Sequence, residues 1–538
     1  MHWLTQRLTF LPNTFLLAWG WQRRLLAVVL GALRALSLPP FGISPVLLIT
    51  FPCFVWLLDG ALEDDARRNG TRFRTGFFLG WLFGFGYLLA GLWWIGAAFL
   101  VEADRFAWLL PFAVLAMPAG LSLFTALGVA LAALFWTDQF RRIPILAACL
   151  TLADWVRGHV LTGFPWNAFG YGFADNLYLA QSARLVGIYG LTFLVVAISS
   201  APALLADAKP AAPKLRAVSA AAIAFLAVFA FGIFRTATAD VEVSALDIRI
   251  VQPSIDQKDK WRPELRDRIF QTYLDMTEAP LGGNARVGQP RLVVWPESAL
   301  PFLLTQEPGA LFRIGQTLGA NTELVTGAVR LEAGASGPVY FNSVYVVGGD
   351  GTVKGVYDKV RLVPFGEYVP FEALLENIGF TNLAGPIEGF EAGYHQRVLS
   401  TTEDFSFLPL ICYEAIFPGV VSATPDEPSF LLNVTNDAWF GRTPGPYQHF
   451  AQARMRASET GLPLVRAANT GISAVVDGYG VVVEDLTVFE RGVVDAGLPE
   501  KLGETIYETF GDVPILIISI TLVGFAIFAK YNRHSRYD

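Results

Sequence analysis

Long, nearly uninterrupted apolar runs fill the first 236 residues of the chain, and short β-type runs replace them afterwards. A helix that crosses a membrane needs roughly 20 mainly apolar residues. Runs near 24–40, 43–60, 74–100, 106–136, 143–158, 185–206 and 217–235 approach or exceed that length, and an isolated run follows near 512–530. The pattern predicts about eight spans. It divides the chain into a polytopic α-helical membrane bundle over 1–236, a more polar segment over 237–508, and a single helix with a short tail over 509–538. The first run is expected to be a span and not a secretory leader, because further apolar runs follow it and no small-residue cleavage site adjoins it.

Loop charges support this topology. Basic clusters occur at Arg23/Arg24, Arg67–Arg74, Arg141/Arg142, Lys209/Lys214/Arg216 and Lys530/Arg533/Arg536, while the loops around Pro39–Gly42 and Glu102–Arg105 are nearly free of Lys and Arg. Basic loops stay in the cytoplasm, so both termini are expected there. An odd number of spans before residue 236 then puts 237–508 on the opposite side, the periplasm if the chain sits in a bacterial inner membrane. The stretch from Asp154 and Arg157 to Trp166–Asn167 sets charged, aromatic and turn residues at an expected membrane edge. Two readings stay open there: an interfacial aromatic belt with Arg157 reaching for headgroups, or a role in holding a lipid substrate.

From about residue 245 the period changes. IRIVQ, RLVVW, ELVTGAV, NSVYVVG, FSFLPLIC, SFLLNVT, LPLVRAA and ISAVVD read as strands, and Pro263–Glu278, Leu311–Gly319 and Gln448–Gly461 as helices. Strands that are mostly apolar, alternating with helices, predict an α/β domain with a buried sheet. Composition adds exclusions. Charged residues are only 16% of the chain, against roughly 25% in ordinary soluble domains, which fits a membrane protein. A net charge of −7 gives no basic footprint for nucleic acid. Three cysteines, Cys53, Cys149 and Cys412, cannot form a disulfide framework. No metal-ligand cluster or phosphate-cradling glycine loop is evident, so no cofactor is expected.

Three expected strand ends carry chemistry: Trp295–Pro296–Glu297–Ser298, Tyr357–Asp358–Lys359, and Ile411–Cys412–Tyr413–Glu414. Taken singly, each has a plainer explanation: a core cysteine, a helix cap, a solvated lysine. Together they make a nucleophile, a base and a cation. A thiol attacks as thiolate and needs a base; Glu297 can take its proton, and Lys359 can stabilise an oxyanion. The histidines of this segment, His395 and His449, sit at no expected strand end, which favours Glu–Lys–Cys.

WPES, YDKVRLVPFGEY and ICYEAIFP resemble the three catalytic motifs of the nitrilase superfamily. With the N-terminal bundle, the LTGFPWN loop, the stretch beginning NVTNDAWFG and the C-terminal span, the chain is similar to the apolipoprotein N-acyltransferase branch. The resemblance implies an αββα sandwich in which Glu297, Lys359 and Cys412 are catalytic, with Glu367, Tyr413 and Glu414 in support. It implies Trp261 in an acyl-contacting or lid segment; Trp166, Asn436 and Trp439 are further candidate substrate contacts. It also implies a phospholipid acyl donor such as phosphatidylethanolamine, a Cys412 thioester, and the diacylglyceryl-cysteine of a lipoprotein as acceptor; a monomer is expected, though the sequence leaves the working unit open. Two rivals remain: a membrane-tethered amidase or nitrile hydrolase with the same triad, and a transporter or receptor whose α/β domain only binds ligand.

Overall fold

The computed structural model describes residues 11–64, 69–137, 139–207, 211–282, 286, 289, 291–334, 337–370, 389–401, 405–422, 424 and 426–534. Of the basic residues used for topology, Arg67, Arg68, Lys209 and Arg536 lie outside these. The chain separates into two compact units, Met1–Ala239 with Thr509–Asp538, and Asp240–Glu508.

In the first unit a helix occupies each of the eight expected regions: Gly20–Arg34, Leu47–Asp64, Asn69–Leu92, Leu110–Leu134, Arg142–His159, Ala183–Ser200, Ala211–Ala237 and Val513–His534. Among the described residues, six helical stretches are long and apolar enough to cross a membrane. The other two, Gly20–Arg34 and Arg142–His159, are shorter or more charged. The C-terminal helix belongs to this unit and is tied to it by Trp155 Nε1, which donates to Asp512 Oδ2 at 3.2 Å.

Small residues decide how closely these helices approach. Gly76, Gly80 and Gly84 recur every fourth residue on Asn69–Leu92 and face Leu110–Leu134; a Cβ on them would lie 2.6 Å from Ala133 Cβ, 2.7 Å from Val129 Cβ and 2.9 Å from Thr125 Cβ. Between apolar helices in lipid, such close backbone contact is a main source of attraction. The unit also buries charge. Arg34 lies against the rings of Tyr87 and Phe169, 4.0 and 4.2 Å from their centroids, and donates to the Phe169 carbonyl at 2.8 Å. Arg157 does not reach for headgroups. It is buried, pairs with Asp154 at 3.1 Å, and donates to the carbonyls of Phe164 at 3.1 Å and Trp166 at 2.7 Å. Unmet loop carbonyls in an apolar setting cost more than an exposed guanidinium gains, so the side chain turns inward.

The second unit holds two six-stranded sheets, in the orders β12-β1-β2-β3-β4-β5 and β11-β10-β9-β8-β7-β6. The strands are β1 Val243–Gln252, β2 Arg291–Val294, β3 Thr322–Gly334, β4 Gly337–Val347, β5 Val353–Asp358, β6 Leu399–Ser400, β7 Ser406–Ile411, β8 Phe430–Thr435, β9 Leu464–Ala468, β10 Ser473–Val476, β11 Val482–Leu486 and β12 Gly492–Pro499. At the centre of each sheet the strands are parallel: β1 with β2 and β2 with β3, then β7 with β8 and β8 with β9. Alternate residues explain the layering. Ile248, Ile250, Val294 and Val325 meet Phe407, Ile411, Leu432 and Val434 between the sheets. Val251, Val293 and Leu324 face outward onto Ile269, Phe270 and Ile314 of helices Arg266–Glu278 and Pro308–Leu318. Leu408, Leu410 and Leu431 face Phe450 and Ala453 of helix Gly445–Thr460. The result is the expected αββα sandwich. The strands not anticipated, β6, β11 and β12, are sheet edges, where polar and glycine residues interrupt the apolar signal; β5, expected only through its end at Tyr357–Asp358–Lys359, is an edge as well.

The glycine row yields a prediction. Gly80→Leu forces the two helices apart and should lower stability by about 2–3 kcal/mol, read as a fall in the thermal unfolding midpoint in detergent. Gly120→Leu is the control, since a Cβ there meets nothing within 4 Å and should leave the midpoint nearly unchanged.

Candidate active site

The three expected residues stand just beyond the C-terminal ends of β2, β5 and β7, the side of an α/β sheet where sites form. β2 and β5 belong to one sheet and β7 to the other. Glu297 follows β2 in a tight turn that crosses over β3. A Cβ on Gly327 of β3 would lie 2.6 Å from Glu297 Cα, so glycine is what lets the turn settle there. Cys412 follows β7 and opens a short 3-10 turn, Cys412–Ile416, with φ at +51°. A side chain held in the left-handed region costs about 1–2 kcal/mol. Such strain persists where the surroundings over-determine it, often at reactive residues.

Hydrogen bonds tie the two sheets together around these turns. Glu297 Oε1 accepts from Asn342 Nδ2 at 2.8 Å, and its Oε2 accepts from the backbone N–H of Asn436 at 2.9 Å. The Asn342 amide also donates to Glu367 Oε1 at 2.8 Å, so one side chain bridges both carboxylates. Lys359 is buried, 2.9 Å from the Glu367 carboxylate and 3.7 Å from Glu297 Oε1. Burial alone would lower its pKa, but Glu367 and Glu297 outweigh burial and raise it well above the ordinary lysine value. The Cys412 thiol is pushed up by burial and by Glu297, with Lys359 opposing. It therefore rests as a neutral thiol and needs the adjacent carboxylate to become a nucleophile.

Glu414 anchors the Cys412 turn. Its carboxylate is buried and accepts from Tyr357 Oη at 2.9 Å, Val360 N at 2.8 Å, Arg361 N at 3.2 Å and Ile411 N at 2.8 Å. It thus clamps the Cys412 turn to the Lys359 loop. Tyr413 packs edge-on against Phe417 at 5.1 Å, and Arg361 covers the other partner of that contact, 4.2 Å from the Phe417 ring.

The remaining expected contacts divide. Asn436 is buried and donates to Gln257 Oε1 at 2.7 Å. Trp261 and Trp439 are 46% and 42% exposed, so both offer aromatic surface. Trp166 lies in the first unit, buried, with its ring 5.0 Å from that of Trp94.

The chain matches two family models: the apolipoprotein N-acyltransferase N-terminal domain over residues 30–201 and carbon-nitrogen hydrolase over 247–507. Apolipoprotein N-acyltransferase of Rhodopseudomonas palustris is 45% identical over 529 residues, 97% of this chain and 98% of that protein. That of Bradyrhizobium diazoefficiens is 46% identical over 528 residues, again 97% and 98%. The chain belongs to the apolipoprotein N-acyltransferase family. It is an acyltransferase of the nitrilase superfamily with a membrane-spanning part, as the motifs led us to expect. An amidase from Nesterenkonia sp. is similar at 21% identity over 48% of this chain and 92% of that one, with a TM-score of 0.32, too slight a likeness to bear on the site.

Three parts of the site were not foreseen. Asn342 lies within the NSVYVVG strand; a polar residue there was the available signal. His449 was set aside, yet it reaches the Cys412 turn from helix Gly445–Thr460: Nε2 is 3.0 Å from the Cys412 carbonyl and Nδ1 is 2.8 Å from Asp437 Oδ1. Arg466 completes the same cluster, donating to the other oxygen of Asp437 at 2.8 Å. The third is Lys260, whose ammonium donates to the Glu297 carbonyl at 3.1 Å.

Two predictions follow from this bonding. Glu414→Gln presents an amide N–H₂ where only acceptors fit. It should cost about 2–3 kcal/mol in the unfolding midpoint and lower acyl transfer more than about ten-fold through misplacement of Cys412. For Asp437, burial opposes the charge, but Arg466 and His449 outweigh it and hold the pKa down to about 2 from an ordinary 3.8. A depressed carboxylate stabilises the fold above its unfolded pKa. The stabilisation, about 2.5 kcal/mol, should disappear as pH falls from about 4 to 2. Asp437→Asn should remove that acid-dependent part from a pH series of unfolding midpoints.

Proposed function

We propose that the chain transfers an acyl group from a membrane phospholipid, through a Cys412 thioester, to the α-amine of the N-terminal diacylglyceryl-cysteine of a lipoprotein. The observation that carries this reading is a strained, partly buried thiol set among Glu297, Lys359 and Glu367 at the meeting of two sheets.

Glu297 takes the Cys412 proton as sulfur attacks the ester carbonyl, and the Lys359 ammonium balances the negative charge that develops on the carbonyl oxygen. The intermediate collapses with loss of the lysophospholipid alkoxide, which takes the proton back from Glu297 and leaves a thioester on sulfur. The acceptor amine then attacks the thioester and gives a proton to Glu297. Cys412 leaves as thiolate and recovers that proton, and an N-acylated lipoprotein is released. The donor is phosphatidylethanolamine on the strength of the family resemblance.

Lipid substrates suit what surrounds the triad. Trp261, Phe365 and Trp439 are exposed aromatics on the loops that follow β1, β5 and β8, the loops that also carry Lys260, Lys359 and Asn436. The chain enters the catalytic unit from one apolar helix and leaves it into another, which tethers that unit at both ends. Charge asymmetry in the loops supports an inner-membrane protein with cytoplasmic termini and a periplasmic catalytic unit. The working unit is a monomer in this reading.

Phospholipid labelled in one acyl chain, incubated with detergent-solubilised enzyme and no acceptor, tests the mechanism. Wild type should retain label that neutral hydroxylamine releases, and Cys412→Ala should retain none. A diacylglyceryl-peptide chase should then carry the label to the peptide amine. Release as free fatty acid instead would favour a hydrolase. No label on folded wild type would overturn the acyl-enzyme.

A further inference from the structure

Lys260 ends a short helical turn, Gln257–Lys260, whose next residue, Trp261, is exposed. The lysine turns the other way and is only 1% exposed. Its Nζ meets the backbone carbonyl of Glu297, and its charge is felt by both the Glu297 carboxylate and the Cys412 thiol. The turn is held over the site by a chain of amides. Gln257 Oε1 accepts from Asn436, Asn436 Oδ1 accepts from Asn469 Nδ2 at 3.0 Å, and Asn469 exchanges hydrogen bonds with Ile255 at 3.0 and 2.8 Å. Lys260 is therefore fixed in place by groups that also grip Glu297.

The charges nearby give it a task. Around the thiol, the carboxylates of Glu297 and Glu367 stand against the single ammonium of Lys359. The Asp437 carboxylate from the loop after β8 is paired with Arg466, with His449 at its other oxygen, and Glu414 is satisfied largely by backbone N–H groups. Making a thiolate adds negative charge to a set already short of cations. A buried ammonium carrying no carboxylate partner of its own would balance it.

We propose that Lys260 is a second cation of the catalytic centre, a positioning residue that acts through Glu297 and Cys412 to ease thiolate formation. The proposal rests on Cys412 being the nucleophile. Burial lowers the Lys260 pKa to about 8, against the pull of Glu297 and Cys412. It thus carries its charge below that pH and loses it above. Lys359 keeps its proton far beyond this range, so an alkaline limb near pH 8 belongs to Lys260.

The test is the rate at which iodoacetamide alkylates Cys412 in full-length enzyme in detergent, followed peptide by peptide by mass spectrometry from pH 5 to 10. Wild type should give a bell with its alkaline limb near 8. Lys260→Met should react about ten-fold more slowly at pH 7 and lose that limb. Lys260→Arg, always charged, should keep the rate and move the limb upward; if the Met variant does not fold, this variant decides alone. A limb that stays near 8 in Lys260→Arg, or an unchanged profile in folded Lys260→Met, overturns the proposal. No alkylation of Cys412 in wild type at any pH overturns the nucleophile reading, and this proposal with it.

Discussion

A buried ammonium shared between two carboxylates is the constraint on which the site depends. Lys359 has lost its water, and isolated charges of that kind cost several kcal/mol unless they are paired. Glu367 and Glu297 provide the pairing, and Asn342 holds those two carboxylates at a fixed spacing. None of these groups can move without leaving another unsatisfied. The position of Glu297 beside Cys412 is thereby inherited from the charge balance. Strong local preference has no part in it; indeed Ser298 and Cys412 both sit at positive φ, against their intrinsic preference.

The sandwich explains how such a set can be assembled. Parallel strands at the centre of each sheet all finish on one side, and the turns that follow are free to carry polar residues. Glu414 and the Asn436 backbone then join the turns of one sheet to those of the other. The apolar layer between the sheets supplies the rigidity that keeps donors and acceptors near 2.8 Å. The membrane unit follows the same logic on a smaller scale. There Arg157, paired with Asp154, holds the carbonyls of the LTGFPWN loop, and the glycine row lets apolar helices touch at their backbones.

Much of this was legible in the amino-acid order. Spans depend on local composition, and all eight regions are helical, although only six of them are apolar enough to cross by that measure among the described residues. Central strands were visible as apolar runs, whereas the edge strands carry too much polar and glycine sequence to stand out. Arg157 shows the limit of a local reading. Its neighbours in sequence suggest a headgroup contact, but its nearest unmet acceptors are carbonyls that only the folded loop brings within reach.

By itself, then, the sequence determined the two-part architecture, the α/β character of the second unit and which three side chains to look for at the candidate site. Each of these follows from periodicity or from chemistry at expected strand ends, which are local properties. Tertiary structure alone decided that Glu297 and Cys412 meet across two sheets, that Lys260 turns inward while Trp261 turns out, and that His449 reaches the Cys412 carbonyl. Periodicity says which face of an element is apolar. It does not say which distant element will cover that face, and the partners of buried charges are set by that packing.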